Sequence, residues 1–190
     1  MRRIWPFQLC LLFLLACGKV QGAAEAVVTP TPVTVDSQIR ADLAFAESWQ
    51  GTAATPLYRE IYGSPSLDGT ALLRFFNSRI TGWEVVSCPD PIAVACMTAG
   101  SHVIALTHYY VESSMPQTYR VAVLFHESRH TESEAGYYPH GNCPTPFTDA
   151  SGAPVKSIFT GNALAGQLSC DQAYQGAYGI TVILLRNLQL

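Results

Sequence analysis

The pentapeptide His126-Glu127-Ser128-Arg129-His130 constrains this chain more than any other segment. Two histidines four residues apart project from the same side of an α-helix, about one turn from each other. In that conformation both imidazoles can reach one metal ion, and the glutamate between them can sit beside a water held by that ion. The flanking residues agree with a helix. Ser114 and Gln117 read as a capping box, with Pro116 tolerated in the first turn. The run Tyr119-Arg120-Val121-Ala122-Val123-Leu124-Phe125 is apolar nearly all round, as a buried active-site helix should be. Tyr119, Val123, His126 and His130 fall on one side of it. The alternative is a core helix whose histidines align by chance. Against it stand a total of only five histidines and the cost of burying Glu127 with neither partner nor function.

The motif H-E-x-x-H resembles that of zincin-like metallopeptidases. That resemblance implies Zn²⁺ as cofactor, His126 and His130 as metal ligands and Glu127 as the catalytic general base. A catalytic zinc needs a third protein ligand and one open position. Here the chain departs from the metzincin pattern: Ser133 stands where that group has glycine, and Gly136 where it has its third histidine. The next histidine is His140, in Tyr137-Tyr138-Pro139-His140-Gly141-Asn142-Cys143. Gly136 can end the helix and turn the chain back, so His140 is the expected third ligand. Gluzincins use a later glutamate, but none follows Glu134. Aspzincins use an aspartate, which makes Asp171 the alternative ligand, or else an outer group that orients a ligand imidazole. Cys170-Asp171-x-x-Tyr174 is similar to the aspzincin element, although Gln175 replaces its glycine. The plain reading of Asp171 is a helix cap. Glu132 and Glu134 read as a solvated face or as partners for Arg129, and Arg129 as pairing with Asp171 or another acid behind the site. Tyr137, Tyr138 and His108 are the candidates for an oxyanion or substrate contact, with loop packing the simpler role for the tyrosines.

The segment from His126 to Tyr178 also resembles a group of exported bacterial lipoproteins sharing H-E-x-R-H, H-x-x-C, C-D and G-A-Y-G elements. Here these are His126 to His130, His140 to Cys143, Cys170-Asp171 and Gly176-Ala177-Tyr178-Gly179. The resemblance ties His140 and Cys143 to the metal motif as one unit and implies no substrate.

The amino terminus reads as an export signal. Arg2 and Arg3 precede a short apolar run from Ile4 to Ala16, too short to span a bilayer. Leu14-Leu15-Ala16-Cys17 resembles a bacterial lipobox. It implies a signal peptide over 1–16, lipid on Cys17 and attachment to a membrane, the outer one in a Gram-negative host given Gly18. The alternative is cleavage near Gly22 to Ala24 and a soluble secreted product. Residues 17–35, with Thr29-Pro30-Thr31-Pro32, read as a flexible tether. Residues 36–190 then form one domain large enough for its own core. The formal charge is −3 with Arg2 and Arg3 counted, hence −5 without them. No basic cluster suits a nucleic-acid partner, and nothing sets the oligomeric state.

Of the six cysteines, Cys10 leaves with the signal and Cys17 is the lipid site. Cys88, Cys96, Cys143 and Cys170 remain, enough for two disulfides in an oxidising compartment. The favoured pairs are Cys88–Cys96, clipping a hairpin across a Cys-Pro-Asp-Pro turn, and Cys143–Cys170, tying the segment after the metal helix to the last helix. A structural zinc on these cysteines is the rival, weakened by the lack of a C-x-x-C pair.

The expected fold class is α+β: N-terminal helices, a small mainly antiparallel sheet, the metal helix and a C-terminal helix. Apolar spacing predicts helices over Ser37–Trp49, Pro56–Tyr62, Asp68–Ile80 and Asp171–Leu188, and strands over Trp83–Ser87, Ile92–Thr98 and His102–Tyr110. The zincin resemblance makes His102–Tyr110 the edge strand that pairs with extended substrate. The leading functional expectation is a zinc-dependent hydrolase of peptide or other amide bonds. The alternative is a surface lipoprotein that binds a metal or a partner without turnover. Coordination separates them, since a structural site closes all four positions.

Overall fold

Thr55 shows how local chemistry starts the helices of this domain. Its hydroxyl accepts the Tyr58 N–H at 3.3 Å, and Pro56 occupies the first helical position, where a missing N–H costs nothing. Gly63, at φ 68°, closes that helix in the left-handed conformation. The computed structural model describes residues 35–90, 93–112, 114–157 and 161–189. The expected signal peptide, Cys17 and all of the tether but Val35 lie outside the described residues, as does Ile92. No described helix is long and apolar enough to cross a membrane.

Among the described residues the fold is α+β, with six helices and two small sheets. Helices α1 (Val35–Glu47), α2 (Pro56–Tyr62) and α3 (Gly69–Asn77) come first. Strands β1 (Gly82–Val85), β2 (Ala95–Cys96) and β3 (Val103–Leu106) follow, then α4 (His108–Glu112) and α5 (Gln117–Arg129). Strands β4 (His140–Asn142) and β5 (Leu168–Asp171) and helix α6 (Ala177–Asn187) complete it. The core joins Ile39 and Ala46 of α1, Leu72, Phe75 and Phe76 of α3, Val121, Leu124 and Phe125 of α5, and Ile180 and Leu184 of α6. Phe125 directly precedes the first motif histidine. It is fully buried, with ring centroids 5.8 Å from Phe76 and 6.2 Å from Tyr62. Burying such a ring stabilises by about 1.5–3 kcal/mol, so the motif rides on a firmly seated helix.

The start of α5 differs from the capping-box expectation. Pro116 is its N-cap and no side chain caps it. Instead a buried ion pair fixes this end: Arg120 holds Asp42 of α1 with two bonds, at 2.8 and 2.7 Å, and Tyr110 donates to the same carboxylate at 2.9 Å.

The first sheet has the order β1-β3-β2. β1 runs parallel to β3 (Gly82 opposite Val103) and β2 antiparallel to it (Cys96 opposite Ala105). Two expectations change here. β1 and β2 are not a hairpin, because β3 lies between them, although Cys88 is bonded to Cys96. β3 is also the central strand, so the edge role expected for His102–Tyr110 does not belong to it. The predicted strand itself stops early, after Leu106. The Thr107 hydroxyl donates to the carbonyls of Ala93 and Val94 and accepts the Tyr109 N–H, which turns the chain into α4.

The second sheet is the antiparallel pair β4–β5, with His140 opposite Asp171 and Gly141 opposite Cys170. Cys143 is bonded to Cys170 and holds this ribbon closed. Residues 168–171 are thus a strand, and the last helix begins six residues later than expected, at Ala177.

Candidate metal centre

His126 lies in the last turn of α5, and His130 is the residue that ends it, at φ −69° and ψ 1°. The helix stops here rather than at Gly136. The Thr131 hydroxyl bonds the Ser128 carbonyl at 2.9 Å, a local competitor for the next helical turn. A short 3-10 turn, Ser133–Ala135, follows. Gly136, Tyr137 and Tyr138 then take φ of 64°, 67° and 47°. Glycine adopts this conformation freely, whereas each tyrosine carries a strain of about 1–3 kcal/mol. Their backbone then leads into β4 and His140.

Three imidazoles meet as a result. Ring centroids are 5.2 Å apart for His126 and His130, 5.1 Å for His126 and His140, and 4.9 Å for His130 and His140. One nitrogen from each lies within 4.8 Å of the other two, a group able to hold a metal ion.

Each ring is oriented from behind. His130 Nδ1 faces the Tyr137 carbonyl at 2.9 Å, which places its proton there and leaves Nε2 bare. The His126 ring is hydrogen-bonded to the backbone of Ala177. His140 Nδ1 lies 3.6 Å from Asp171 Oδ1, and these two buried atoms have no other partner. That separation is beyond an ordinary hydrogen bond; closing by a few tenths of an ångström would make one. Nε2 of His126 and Nε2 of His140 then face each other at 3.3 Å. Two bare nitrogens would repel at that distance. Two nitrogens each about 2.0–2.1 Å from one tetrahedral cation stand about 3.3 Å apart. The donor set therefore fits a small divalent ion.

The electrostatics agree with neutral ligands. Burial, then the neighbouring His130 and His140, push His126 down to about 3. Burial likewise lowers His130, partly offset by its bond to Tyr137. Neutral imidazole is the metal-binding form. Glu127 is 5 % exposed, and burial pushes its carboxyl up to about 8.

Asp171 is buried at the same place, which opposes its charge. The His140 contact and the N–H groups of Gly179 and Tyr178 outweigh that and hold its carboxyl below the usual range. Oδ2 accepts the Gly179 N–H at 2.7 Å, so Asp171 caps α6 from a distance, while Gly176 holds the N-cap position. A Cβ on Gly176 would come 2.5 Å from Asp171 Cγ, which is why glycine stands there.

The other sequence candidates are placed elsewhere. His108 is exposed in α4 and packs tilted against Tyr109, with ring centroids 4.0 Å apart. The Tyr137 hydroxyl reaches toward Gly100, where a Cβ would meet it at 3.6 Å. The Tyr138 hydroxyl bonds Arg129 at 3.1 Å. Arg129 pairs with Glu132, not with Asp171. The aromatic ring beside the imidazoles is Tyr178, 4.6 Å from His126 and 4.8 Å from His140. It is 40 % exposed, and burial with the charges of Asp171 and Glu127 raises its phenol above the ordinary value. The sequence places Tyr178 in a G-A-Y-G element and inside the predicted helix Asp171–Leu188, and only the first of these signals points toward the metal motif.

Comparison with protein-family models, with curated proteins and with solved structures gives no match.

Proposed function

We propose that this chain is a zinc-dependent hydrolase of peptide or related amide bonds, exported and lipid-anchored at Cys17 in the bacterial envelope. The observation that carries the reading is the convergence of three imidazoles, His126, His130 and His140, at the end of a helix that also buries Glu127, next to the first of them in sequence. His126, His130 and His140 would hold Zn²⁺. Bound there, zinc supplies Lewis-acid polarisation and a water acidic enough to ionise near neutral pH. Three protein ligands would leave a fourth position for water, the arrangement of catalytic rather than structural sites.

Glu127 follows His126 directly in α5, and its raised pKa suits a group that takes a proton and gives it back. In the reaction Glu127 removes a proton from the attacking water as the new C–O bond forms. It then delivers that proton to the leaving nitrogen as the C–N bond breaks. Tyr178, half-exposed against two of the ligand rings, is the group best placed to touch substrate. It takes the role expected of Tyr137, Tyr138 or His108.

The test is metal content and turnover of the full chain. Wild type should carry about one zinc per chain, His140→Ala should lose it, and Glu127→Gln should keep zinc and fold while losing cleavage of a quenched-fluorescence peptide library. Full zinc in His140→Ala, or unchanged cleavage by Glu127→Gln, would refute the assignment. A zinc-replete wild type with no hydrolytic activity would favour the metal- or partner-binding lipoprotein.

A further inference from the structure

A cationic side chain next to a metal site raises the electrostatic cost of binding a cation, so Arg129 needs a reason. It sits between Ser128 and His130 with its side chain 7 % exposed. Glu132 absorbs the charge, accepting from Arg129 Nη1 and also from Arg79 Nη2 at 3.1 Å. The remaining donors reach two other segments. Nε donates to the Gln175 carbonyl at 2.9 Å, and Nη2 donates to the Tyr138 hydroxyl at 3.1 Å. The guanidinium carbon also lies 4.4 Å over the Tyr138 ring.

Both segments deliver parts of the metal centre. Tyr138 ends the left-handed turn and stands two residues before His140. Gln175 directly precedes Gly176, the cap of the helix that brings Ala177 to His126 and Tyr178 to both rings. One planar fork therefore joins the end of α5, the turn before β4 and the loop before α6. We infer that Arg129 is a positioning residue of the metal centre: through Tyr138 and Gln175 it sets where His140 and the start of α6 stand relative to His126 and His130. This inference rests on the three-histidine reading. Lysine keeps the charge opposite Glu132 but carries all its donors on one nitrogen, which cannot span three acceptors in the directions a planar fork reaches.

The experiment uses the full chain as wild type, Arg129→Lys, Tyr138→Phe and His140→Ala. Zinc affinity is measured by competition with a chromophoric chelator, and the visible spectrum is recorded after loading with Co²⁺. Far-UV circular dichroism and urea unfolding of the metal-free proteins report folding. Arg129→Lys should remain folded yet bind zinc about 10–100-fold more weakly, the range typical of groups that orient ligands, with shifted Co²⁺ bands. Tyr138→Phe should move both readouts in the same direction by less. A folded Arg129→Lys and Tyr138→Phe with wild-type affinity and an unchanged Co²⁺ spectrum would overturn the inference. If Arg129→Lys does not fold, Tyr138→Phe decides alone. If wild type binds no zinc, or His140→Ala binds as wild type does, the three-histidine reading has failed and the inference with it.

Discussion

Asp171→Asn separates two jobs that one carboxylate performs. Oδ2 caps α6 through the Gly179 N–H at 2.7 Å, and Oδ1 faces His140 Nδ1 at 3.6 Å. Asparagine caps helices about as well as aspartate, so its carbonyl can keep the Gly179 bond. Its amide N–H₂ must then point at His140 Nδ1, a donor against a donor. His140 would have to move its proton to Nε2, the nitrogen that faces His126, or rotate away. Losing such an orienting partner costs about 10–100-fold in metal affinity, or about 1.4–2.7 kcal/mol at 1.36 kcal/mol per tenfold. Folding of the metal-free protein should fall by less than about 1 kcal/mol, because the cap survives. Asp171→Ala removes both functions and should add about 0.5–2 kcal/mol of lost folding stability to the same loss of affinity. Chelator competition reads the first quantity, and urea unfolding in the presence of a chelator reads the second. Wild-type zinc affinity in Asp171→Asn would refute the assigned orientation of His140. Equal losses of affinity and stability would reduce Asp171 to a cap.

Asp42→Ala should destabilise the domain by about 3–5 kcal/mol, because it strands the Arg120 guanidinium and the Tyr110 hydroxyl that share a fully buried carboxylate; a thermal midpoint within a degree or two of wild type would contradict this. Stability of the metal-free protein should peak between pH 4.5 and 6.5. The folded-state pKa of His126 lies below its ordinary 6.5, so the unfolded chain binds the extra proton and stability falls as pH drops toward 3. That of Glu127 lies above its ordinary 4.5, so the folded chain binds the extra proton and stability falls as pH rises toward 8. Urea midpoints measured with a chelator from about pH 3 to about pH 8 check both slopes, and a profile flat over that whole span would refute them.

Local chemistry made the early helices and the three-histidine group readable. Pro56 and Thr55 start α2, Phe75 and Phe76 mark the inner face of α3, and the i, i+4 histidines declare α5 before any packing is known. His140 was also within reach, because Gly136 permits the turn and Cys143, bonded to Cys170, ties the ribbon that carries it. What local pattern misread depends on pairing between distant segments. Strand composition continues through Tyr110, yet Thr107 bonds back to Ala93 and Val94 and ends β3 at Leu106. The hairpin expected around Cys88 and Cys96 ignored a later strand that inserts between its arms.

The outer residues of the candidate metal centre follow the same rule more strictly. Tyr137 and Tyr138 occupy a conformation that no propensity assigns to tyrosine. They hold it because His130 takes the carbonyl of one and Arg129 the hydroxyl of the other. Tyr178 reaches the imidazoles only because Asp171, five residues before Gly176, starts α6 at that point, with Gly176 too small to push the carboxylate aside. Candidate ligands can thus be legible as residue types at a spacing. The groups that orient them are fixed by where α5, β5 and α6 meet, and the variants with the most to say about this centre are Asp171→Asn and Arg129→Lys rather than the histidines themselves.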